Sequence, residues 1–313
     1  MTQYRNPIVE NRADPWVYKH TDGYYYFTGS VPGYQEIELR RAKTLNGLAD
    51  GEIKTVWKAH DKGKMSELIW APEVHYIDGK WYIYFAASDH AEIRDEVYHH
   101  RMFVIECSEE NPFEGEWLEK GQIETPMDTF SLDGTTFEHQ GQRYYVWAQL
   151  DPQIEGNSNL YIAKMKTPWE IEEEITLLSI PEFDWEKIGF LVNEGPAVIV
   201  RGDKVVLAYS ASATDENYAM GILWADVASD LMKAESWTKL KEPVFKTSEA
   251  ASKYGPGHNS FTRSEDDQDD VLIYHARPEM NKFGDPLNNP DRHANAQVFS
   301  WGEDGLPYFG QPT

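Results

Sequence analysis

The stretch Ala13-Asp14-Pro15-Trp16-Val17, followed shortly by Asp22-Gly23-Tyr24-Tyr25-Tyr26-Phe27, contains the pattern that decides the fold. An acidic or polar residue begins a short run, a turn follows, and a strand dense in aromatic and β-branched residues comes next. Four more copies of this pattern occur along the chain. We call the first key residue of each copy its head residue, and the five heads are Asp14, Glu73, Asp133, Glu194 and His258.

The head residues are spaced 59 to 64 residues apart. A fixed period of this size, with several short strands and turn signals in each copy, is typical of a β-propeller, in which each blade has four strands. The five copies therefore predict an all-β protein, a five-bladed β-propeller. Asp78-Gly79, between two strand-like runs, predicts a tight hairpin in the second blade. Residues 296–301 are expected to finish the last blade or to pair with N-terminal residues.

The symmetry of a propeller should place the head residues together. Equivalent positions on blades related by rotation lie at one height around one axis, so we expect all five heads at one mouth of the central channel. Four carboxyl groups and one histidine would then face one another. A turn or capping role explains any single one of these residues, but five of them in the same phase favour a functional carboxylate cluster.

The length and the charge limit the possible functions. The repeat uses almost all of the 313 residues, which predicts one domain spanning residues 1–313. The formal net charge of −24 argues against nucleic-acid binding, because a phosphate backbone requires a basic surface. The same charge disfavours an anionic membrane surface or an acidic polysaccharide. A neutral oligosaccharide is the expected partner.

The cellular location is predicted from the cysteine content and the N-terminal residues. The single cysteine, Cys107, excludes an internal disulfide, and its strand-like surroundings predict a buried, inert thiol. No positively charged segment followed by an apolar stretch precedes Asn11, and no apolar run approaches the roughly 20 residues that a membrane-spanning helix needs. We therefore expect a cytoplasmic protein.

Two polar segments resemble metal sites in composition only. His99 and His100 are adjacent, and neighbouring residues of an extended chain point to opposite faces, so a solvated loop is expected there. The acidic run at residues 265–270 lacks the ligand spacing of an EF-hand and is expected to be the solvated tip of a hairpin. We expect no metal at either segment.

Carboxyl groups must supply the chemistry. The sequence lacks a phosphate-binding Gly-Lys-Ser loop, a Gly-x-Ser-x-Gly elbow, a His-Glu-x-x-His motif and a dinucleotide fingerprint. Two carboxyls that face each other across a channel mouth, beside Trp16 and Trp70, suit the hydrolysis of a glycosidic bond. One donates a proton to the leaving oxygen, and the other activates water or attacks the anomeric carbon.

The surroundings of each carboxyl suggest a division of roles. Glu194 has the longer side chain and an apolar approach at residues 189–192, which should raise its pKa and keep it protonated as the acid. Asp14 has the shorter side chain, which leaves room for a water and suits the base. Asp133 supplies a third charge that raises the pKa of Glu194 and holds the sugar. His258 is expected to anchor the channel floor through water or a hydrated cation.

The motifs around three head residues resemble those of glycoside hydrolase family 43, and the resemblance extends over nearly the whole chain. They are Ala13-Asp14-Pro15, Leu132-Asp133-Gly134 and Asn193-Glu194-Gly195-Pro196. The resemblance implies a five-bladed propeller and an inverting mechanism, with Asp14 as general base, Asp133 as pKa modulator and orienting residue, and Glu194 as general acid. It implies about 6.5 to 9.5 Å between base and acid, which leaves room for the attacking water. No cofactor is required, and a structural cation near His258 is compatible with the resemblance.

Three further residues are assigned to substrate binding. His258, in Gly255-Pro256-Gly257-His258, resembles the family's axial histidine. Arg292 resembles an arginine that reaches from the last blade to a sugar hydroxyl, and a salt bridge at the rim is the alternative. Trp70, in Trp70-Ala71-Pro72-Glu73, and the segment 288–297 resemble the α-L-arabinofuranosidase members. Ala197 departs from the aromatic residue or histidine of many members, which weakens any transfer of substrate contacts.

The most specific expectation is an exo-acting α-L-arabinofuranosidase that releases terminal arabinofuranose from arabino-oligosaccharides or arabinoxylo-oligosaccharides. The end of the sequence at Thr313, without the C-terminal β-sandwich of many β-xylosidases of the family, favours the same assignment. A β-xylosidase or an endo-1,5-α-arabinanase would use the same three acids, and a closed pocket would indicate exo action where an open cleft would indicate endo action. A non-catalytic sugar-binding propeller need not keep three carboxyls in phase.

Overall fold

Five antiparallel sheets of four strands each make up the computed structural model, which describes residues 3–94, 97–281 and 284–313. In every sheet the strands pair in the order in which they follow along the chain. The first strand of each sheet lies at the centre, where it packs against the first strands of the neighbouring sheets. The structure is therefore the predicted all-β, five-bladed β-propeller.

In each blade the strands follow one another from the central channel outward. The first blade contains β1 (Ala13–Lys19), β2 (Tyr25–Ser30), β3 (Glu36–Ala42) and β4 (Glu52–Lys58). The second contains β5 (Glu67–Ile77), β6 (Lys80–Ser88), β7 (Arg101–Cys107) and β8 (Leu118–Gln122). The third contains β9 (Ser131–His139), β10 (Gln142–Gln149), β11 (Asn159–Thr167) and β12 (Glu170–Ser179). The fourth contains β13 (Asn193–Arg201), β14 (Lys204–Ala211), β15 (Ala219–Asp226) and β16 (Thr238–Lys239), and the fifth β17 (Tyr254–Arg263), β18 (Asp270–Arg277), β19 (His293–Trp301) and β20 (Pro307–Tyr308).

The helices of the described residues are short 3₁₀ turns in the connections between strands. They are Asn46–Asp50, Asp184–Glu186, Ala234–Ser236, Glu249–Ala251 and Pro286–Asn288. Within the described ranges, none of the helices has the length and apolar character needed to cross a membrane.

Tight turns connect the inner strands to the second strands. Asp78 and Gly79, with φ angles of 49° and 83°, join β5 to β6, as the sequence predicts. Gln140 and Gly141, with φ angles of 51° and 76°, join β9 to β10 in the same way. Two successive left-handed residues match the twist of the flanking strands, so these turns fix the strand register.

The hydrophobic core lies between the blades, and the second strand of each blade contributes most to it. Every residue of β2 and β18 is buried, because neighbouring blades cover both faces of these strands. Large aromatic residues on these second strands fill the spaces between blades, and the fully buried ones include Trp81, Trp147, Tyr209 and Tyr274. Strands buried on both faces therefore read as continuous apolar runs in the sequence.

The ring closes where the N-terminal segment meets the fifth blade. The backbone N–H of Ile8 donates to the carbonyl of Ala294 at 2.9 Å, and that of Ala294 donates to Val9 at the same distance. Residues 296–301 belong to β19, which also pairs with β18. Both of the arrangements expected for this closing strand are therefore present.

The core position of β6 predicts that truncation of Ile83 destabilises the protein more than truncation of Ile53. Ile83 on β6 is fully buried with Ile37 and Leu39 between the first two blades, whereas Ile53 on β4 is 49% exposed. The change Ile83→Ala should lower the free energy of unfolding by about 2 to 5 kcal/mol, because it removes buried apolar atoms and leaves a cavity. The matched change Ile53→Ala should cost less than about 1 kcal/mol. Urea unfolding of both variants checks this, and equal losses would contradict the placement of the core.

Candidate active site

A residue in the left-handed conformation interrupts every inner strand near its start. These residues are Asp14, Ala71, Asp133, Gly195 and His258, with φ angles between 45° and 55°. The pairing register of each inner strand shifts beside this position, so each is a β-bulge. A bulge redirects the side chains around it, and a left-handed non-glycine residue persists only where the surrounding structure holds it in place. The five bulges direct side chains toward one mouth of the central channel.

The second blade differs from the sequence prediction. Its left-handed residue is Ala71, so this blade presents a methyl group where Asp14 and Asp133 present carboxylates. Glu73 is two residues further along β5, buried away from the mouth, and its Oε2 lies 3.0 Å from Nε2 of His75. Burial raises the pKa of Glu73 well above its usual value and lowers the pKa of His75 to about 3, so both are neutral. The prediction that all five heads share one mouth is wrong for Glu73, because the bulge in β5 precedes it.

The other four heads line one cavity of about 140 Å³. Asp14, Asp133, Glu194 and His258 meet there, although they come from four different blades. Trp70 of β5 and connections between strands from around the ring contribute the rest of the wall. The residues from the connections include Tyr34, Tyr98, Phe130, Asn157, Phe190, Thr214, Leu287 and Arg292. The cavity therefore combines three carboxyl groups with a mostly apolar and aromatic surface.

Asp14 is a buried carboxylate surrounded by donors. Its Oδ2 accepts a hydrogen bond from the Ser30 hydroxyl at 2.5 Å, and its Oδ1 lies 3.3 Å from both Nη1 of Arg292 and Nδ1 of His258. Burial alone would raise the pKa of Asp14, but His258 and His275, which become protonated at the low pH where Asp14 would titrate, and Arg292 outweigh it and hold the pKa far below the usual range. Asp14 is ionised at every working pH.

Arg292 is the permanent positive charge beside Asp14. Burial lowers the pKa of His258, and it lowers that of His275 to about 3, so both imidazoles are neutral near pH 7. The Nδ1 of His275 accepts the backbone N–H of Asp14 at 3.1 Å, which fits the neutral form. Arg292 also donates to the Tyr34 hydroxyl at 3.3 Å. The predicted salt bridge of Arg292 therefore lies inside the cavity and not at the exposed rim.

Glu194 has the opposite electrostatic character. Burial is the main cause that raises its pKa, and the charge of Asp14 adds to it. The Tyr218 hydroxyl donates to Oε1 of Glu194 at 2.7 Å and, together with Arg292, partly opposes the shift. The resulting pKa is about 7, so Glu194 carries a proton over part of the neutral range.

Asp133 connects the third blade to the backbone beside Glu194. Its Oδ2 accepts the backbone N–H of Gly195 at 2.9 Å. Burial raises the pKa of Asp133 well above its usual value, and the charges of Glu194 and Asp14 raise it further.

Gly195 allows the fourth and fifth blades to approach closely. A side chain at this position would bring its Cβ to about 3.1 Å from the ring of His258.

Trp70 forms an aromatic wall of the cavity. It is buried and stacks on the imidazole of His100 with ring centroids 4.0 Å apart, and Tyr98 packs edge-on against it at 5.1 Å. The solvated loop expected at His99 and His100 is therefore present only in part, since His99 is exposed and His100 is buried. Trp16 does not line the cavity, because its indole N–H donates to the carbonyl of Val74 on the neighbouring blade.

Sequence reasoning missed the contacts of Ser30, Tyr34 and Tyr218, which bind the side chains of Asp14, Arg292 and Glu194 in that order. Ser30 is at the end of β2, Tyr34 is in the loop that follows, and Tyr218 immediately precedes β15. Their contacts cross between strands or blades, and no local pattern of residues reports such a contact. The turn-rich composition around Tyr34 is the one signal that a loop reaches the cavity there.

The comparisons with known proteins agree with this geometry. An "Extracellular exo-alpha-(1->5)-L-arabinofuranosidase" of Streptomyces avermitilis is 54% identical over 310 residues, which covers 99% of this chain and 64% of the relative. A protein of the same name from Streptomyces chartreusis is 48% identical over 283 residues, 90% of this chain and 85% of the relative. The crystal structure of an α-L-arabinofuranosidase from Lactobacillus brevis superimposes with a TM-score of 0.98 at 55% identity, covering 99% of this chain and 97% of that one.

The expectation of a cytoplasmic protein is wrong, because both Streptomyces relatives are named extracellular. It rested on the first residues of the sequence, which carry no information about location. The free thiol of Cys107 does not discriminate either. Cys107 is buried, its pKa is raised by burial, and a lone cysteine forms no internal disulfide in any compartment.

The family assignment rests on the full length of the propeller. The model of the family described as glycosyl hydrolases family 43 matches residues 4–307, which span all five blades. The motifs around Asp14, Asp133 and Glu194 lie within this range, and the structure brings them into one cavity. This chain belongs to glycosyl hydrolases family 43.

Proposed function

We propose that residues 1–313 form a single catalytic domain, an exo-acting, inverting α-L-arabinofuranosidase that acts on neutral arabino-oligosaccharides or arabinoxylo-oligosaccharides. The activity named for the relatives supports this proposal, although the chain spans only 64% of the length of the Streptomyces avermitilis protein. The observation that carries it is the pair of carboxyls with opposite pKa shifts in one cavity, Glu194 at about 7 and Asp14 far below its usual value. Such a pair supplies an acid and a base at the same pH.

The proposed reaction uses these two groups in one step. Glu194 donates its proton to the glycosidic oxygen, and the bond between that oxygen and the anomeric carbon breaks. A water molecule attacks the anomeric carbon from the opposite side while Asp14 accepts one of its protons. The products are a free arabinofuranose of inverted configuration and a shortened oligosaccharide. Exchange of protons with solvent then restores the protonated Glu194 and the ionised Asp14.

Asp133 is proposed to orient the acid and to adjust its pKa. Its hydrogen bond to the N–H of Gly195 fixes the backbone next to Glu194. The charge of Glu194 raises the pKa of Asp133, so the two carboxyls titrate as an interacting pair. This arrangement supports the role of modulator and orienting residue that the family resemblance implies.

The shape of the cavity supports exo action. Its wall contains residues from every blade, so a polysaccharide that ran straight across the cavity would meet a wall on each side. We propose that Trp70 supports the apolar face of the terminal sugar, with His258 on the channel floor. Arg292 is proposed to donate to a sugar hydroxyl while it remains beside Asp14. The net charge of −24 favours a neutral sugar over an acidic one.

The chemistry needs no cofactor, and the cation suggested near His258 remains a proposal. Asn259 follows His258 on β17 and is buried, and neither atom of its side-chain amide has a hydrogen-bond partner in the described part of the chain. An amide oxygen is a ligand that a hydrated Ca²⁺ accepts, so these residues fit a cation held through water. No step of the proposed reaction depends on this cation.

Removal of the acid is the first test of the proposed roles. The variant Glu194→Ala should lower kcat on an arabino-oligosaccharide by roughly 10²- to 10⁴-fold, because the leaving sugar then departs without a proton. An aryl arabinofuranoside with a good leaving group should lose much less. The exposed residue Glu173 gives the matched control, Glu173→Ala. Near-normal turnover of the oligosaccharide by Glu194→Ala, with an unchanged circular dichroism spectrum, would contradict the assignment.

The pH dependence follows from the two pKa shifts. Glu194 must be protonated, so kcat/KM should fall about tenfold per pH unit above pH 7, near its pKa of about 7. Asp14 must be ionised, and its lowered pKa places the loss of the base well below the usual range of aspartate. Initial rates between pH 4 and 9 measure the profile, and a rate that still rises above pH 8 would refute the role of Glu194.

Removal of the hydrogen bond from Tyr218 should shift the alkaline limb of the pH profile, the range above pH 7 in which kcat/KM falls. The Tyr218 hydroxyl stabilises the carboxylate of Glu194, so Tyr218→Phe should raise the pKa of Glu194 and shift the alkaline limb to higher pH. A limb that moves to lower pH would show that another group limits the rate.

The sugar specificity is tested with two aryl glycosides. Hydrolysis of para-nitrophenyl α-L-arabinofuranoside should greatly exceed that of the β-D-xylopyranoside, and Asp14→Asn should abolish it because the neutral amide cannot accept a proton from water. A preference for the xyloside would indicate a β-xylosidase instead. Activity on polymeric arabinan without release from either aryl glycoside would indicate endo action.

A further inference from the structure

The loop between β6 and β7 contains a cluster of metal-binding side chains at its base. Asp89 and His90 follow β6 directly, and His99 lies two residues before β7 begins. Further out, Ile93 and Tyr98 of the same loop line the active-site cavity. The cluster is therefore separate from the catalytic carboxyls but belongs to a loop that forms part of the cavity wall.

The spacing of the cluster suits a tetrahedral metal ion. Oδ1 of Asp89 lies 2.8 Å from Nδ1 of His99 and 3.6 Å from Nε2 of His90. One ligand atom from each of the three residues lies within 4.8 Å of the other two. Ligands bound to zinc at about 2.0 to 2.1 Å in a tetrahedral site are roughly 3.3 Å apart. Small side-chain adjustments would bring the three atoms to that spacing.

The two imidazoles are already arranged side by side. The rings of His90 and His99 are nearly parallel, with an interplanar angle of 4° and centroids 5.3 Å apart. His90 has a buried Nδ1 with no hydrogen-bond partner in the described part of the chain. The side chains of His90 and His99 are 22% and 51% exposed, so an ion can reach them from solvent.

The charge around the cluster is compatible with a cation. Asp89 contributes one negative charge, and the nearest positive group is Arg101, whose Nη2 lies 3.5 Å from Nε2 of His99. Arg101 is itself paired with Asp128, to which its Nε donates at 2.7 Å. The protein as a whole carries a net charge of −24, which attracts divalent cations.

We propose that Asp89, His90 and His99 form a binding site for a divalent transition-metal ion of the zinc type, with a water molecule as the fourth ligand. Zinc binds well to two imidazoles and one carboxylate, whereas calcium and magnesium bind through oxygen ligands. The ion links the two ends of the loop, because Asp89 and His90 begin it and His99 ends it. Tyr98 is adjacent to His99 and packs on Trp70, so the ion also stabilises this wall of the cavity.

The binding test uses the full chain after chelation and removal of the chelator. Isothermal titration with Zn²⁺ in excess Ca²⁺, which fills any calcium site near His258, should show one saturable site that Ca²⁺ does not occupy. The variants His99→Ala and His90→Ala should each weaken Zn²⁺ binding by at least tenfold. The matched control is His60→Ala. The side chain of His60 is at the surface, and its Nε2 lies 2.8 Å from Oε1 of Glu119, but His60 does not belong to the cluster of three metal-binding side chains. This variant should bind Zn²⁺ as the native protein does.

Thermal unfolding gives a readout that does not depend on catalysis. An ion that binds only the folded protein raises the unfolding temperature, so Zn²⁺ should stabilise the native chain and His60→Ala but not His99→Ala. All three proteins should have the same fold without metal, because the replaced side chains are on the surface. Equal Zn²⁺ affinity in all variants, loss of Zn²⁺ binding in excess Ca²⁺, or no saturable binding would overturn the proposal.

Discussion

The left-handed residue near the start of each inner strand is the constraint on which the site depends. A regular strand would place successive side chains on alternate faces of the blade and few of them at the channel mouth. The bulges at Asp14, Asp133 and His258 direct these side chains to one place, and Gly195 performs the same backbone role beside Glu194. The ring of blades supplies a rigid frame, so side chains from four blades meet in one cavity.

Within this cavity one permanent positive charge helps to give Asp14 and Glu194 different pKa values. Arg292 lies beside Asp14, and the neutral imidazole of His275 accepts the backbone N–H of Asp14 without adding charge. Glu194 has the Tyr218 hydroxyl as its close partner, and burial dominates its pKa. The same cavity therefore favours the ionised form of Asp14 and raises the pKa of Glu194 to about 7. The network around Asp14 and the hydrogen bond from the Gly195 N–H to Asp133 couple the first, third, fourth and fifth blades through the site.

Much of this arrangement was predictable because it repeats. The period indicated five blades, and Asp14, Asp133 and Glu194 stand at equivalent places in it. Glu73 shows the limit: its spacing fits the period, but a bulge at Ala71 decides which side chain reaches the mouth, and a two-residue offset is invisible in the sequence. Tyr218 was not predictable, because its contact with Glu194 depends on how two neighbouring segments pack. The prediction of a cytoplasmic location was wrong, because the first residues of a given sequence do not indicate where the protein is located.

The stereochemistry of hydrolysis tests the central claim most directly, since it depends on a water molecule fitting between Asp14 and the sugar. Proton NMR during rapid hydrolysis of an α-L-arabinofuranoside identifies the first anomer formed, before mutarotation mixes the two. The account predicts β-L-arabinofuranose as the initial product, because a single displacement inverts the anomeric carbon. Initial formation of the α anomer would show that a carboxyl attacks the sugar itself, and would contradict the role of Asp14 as a base.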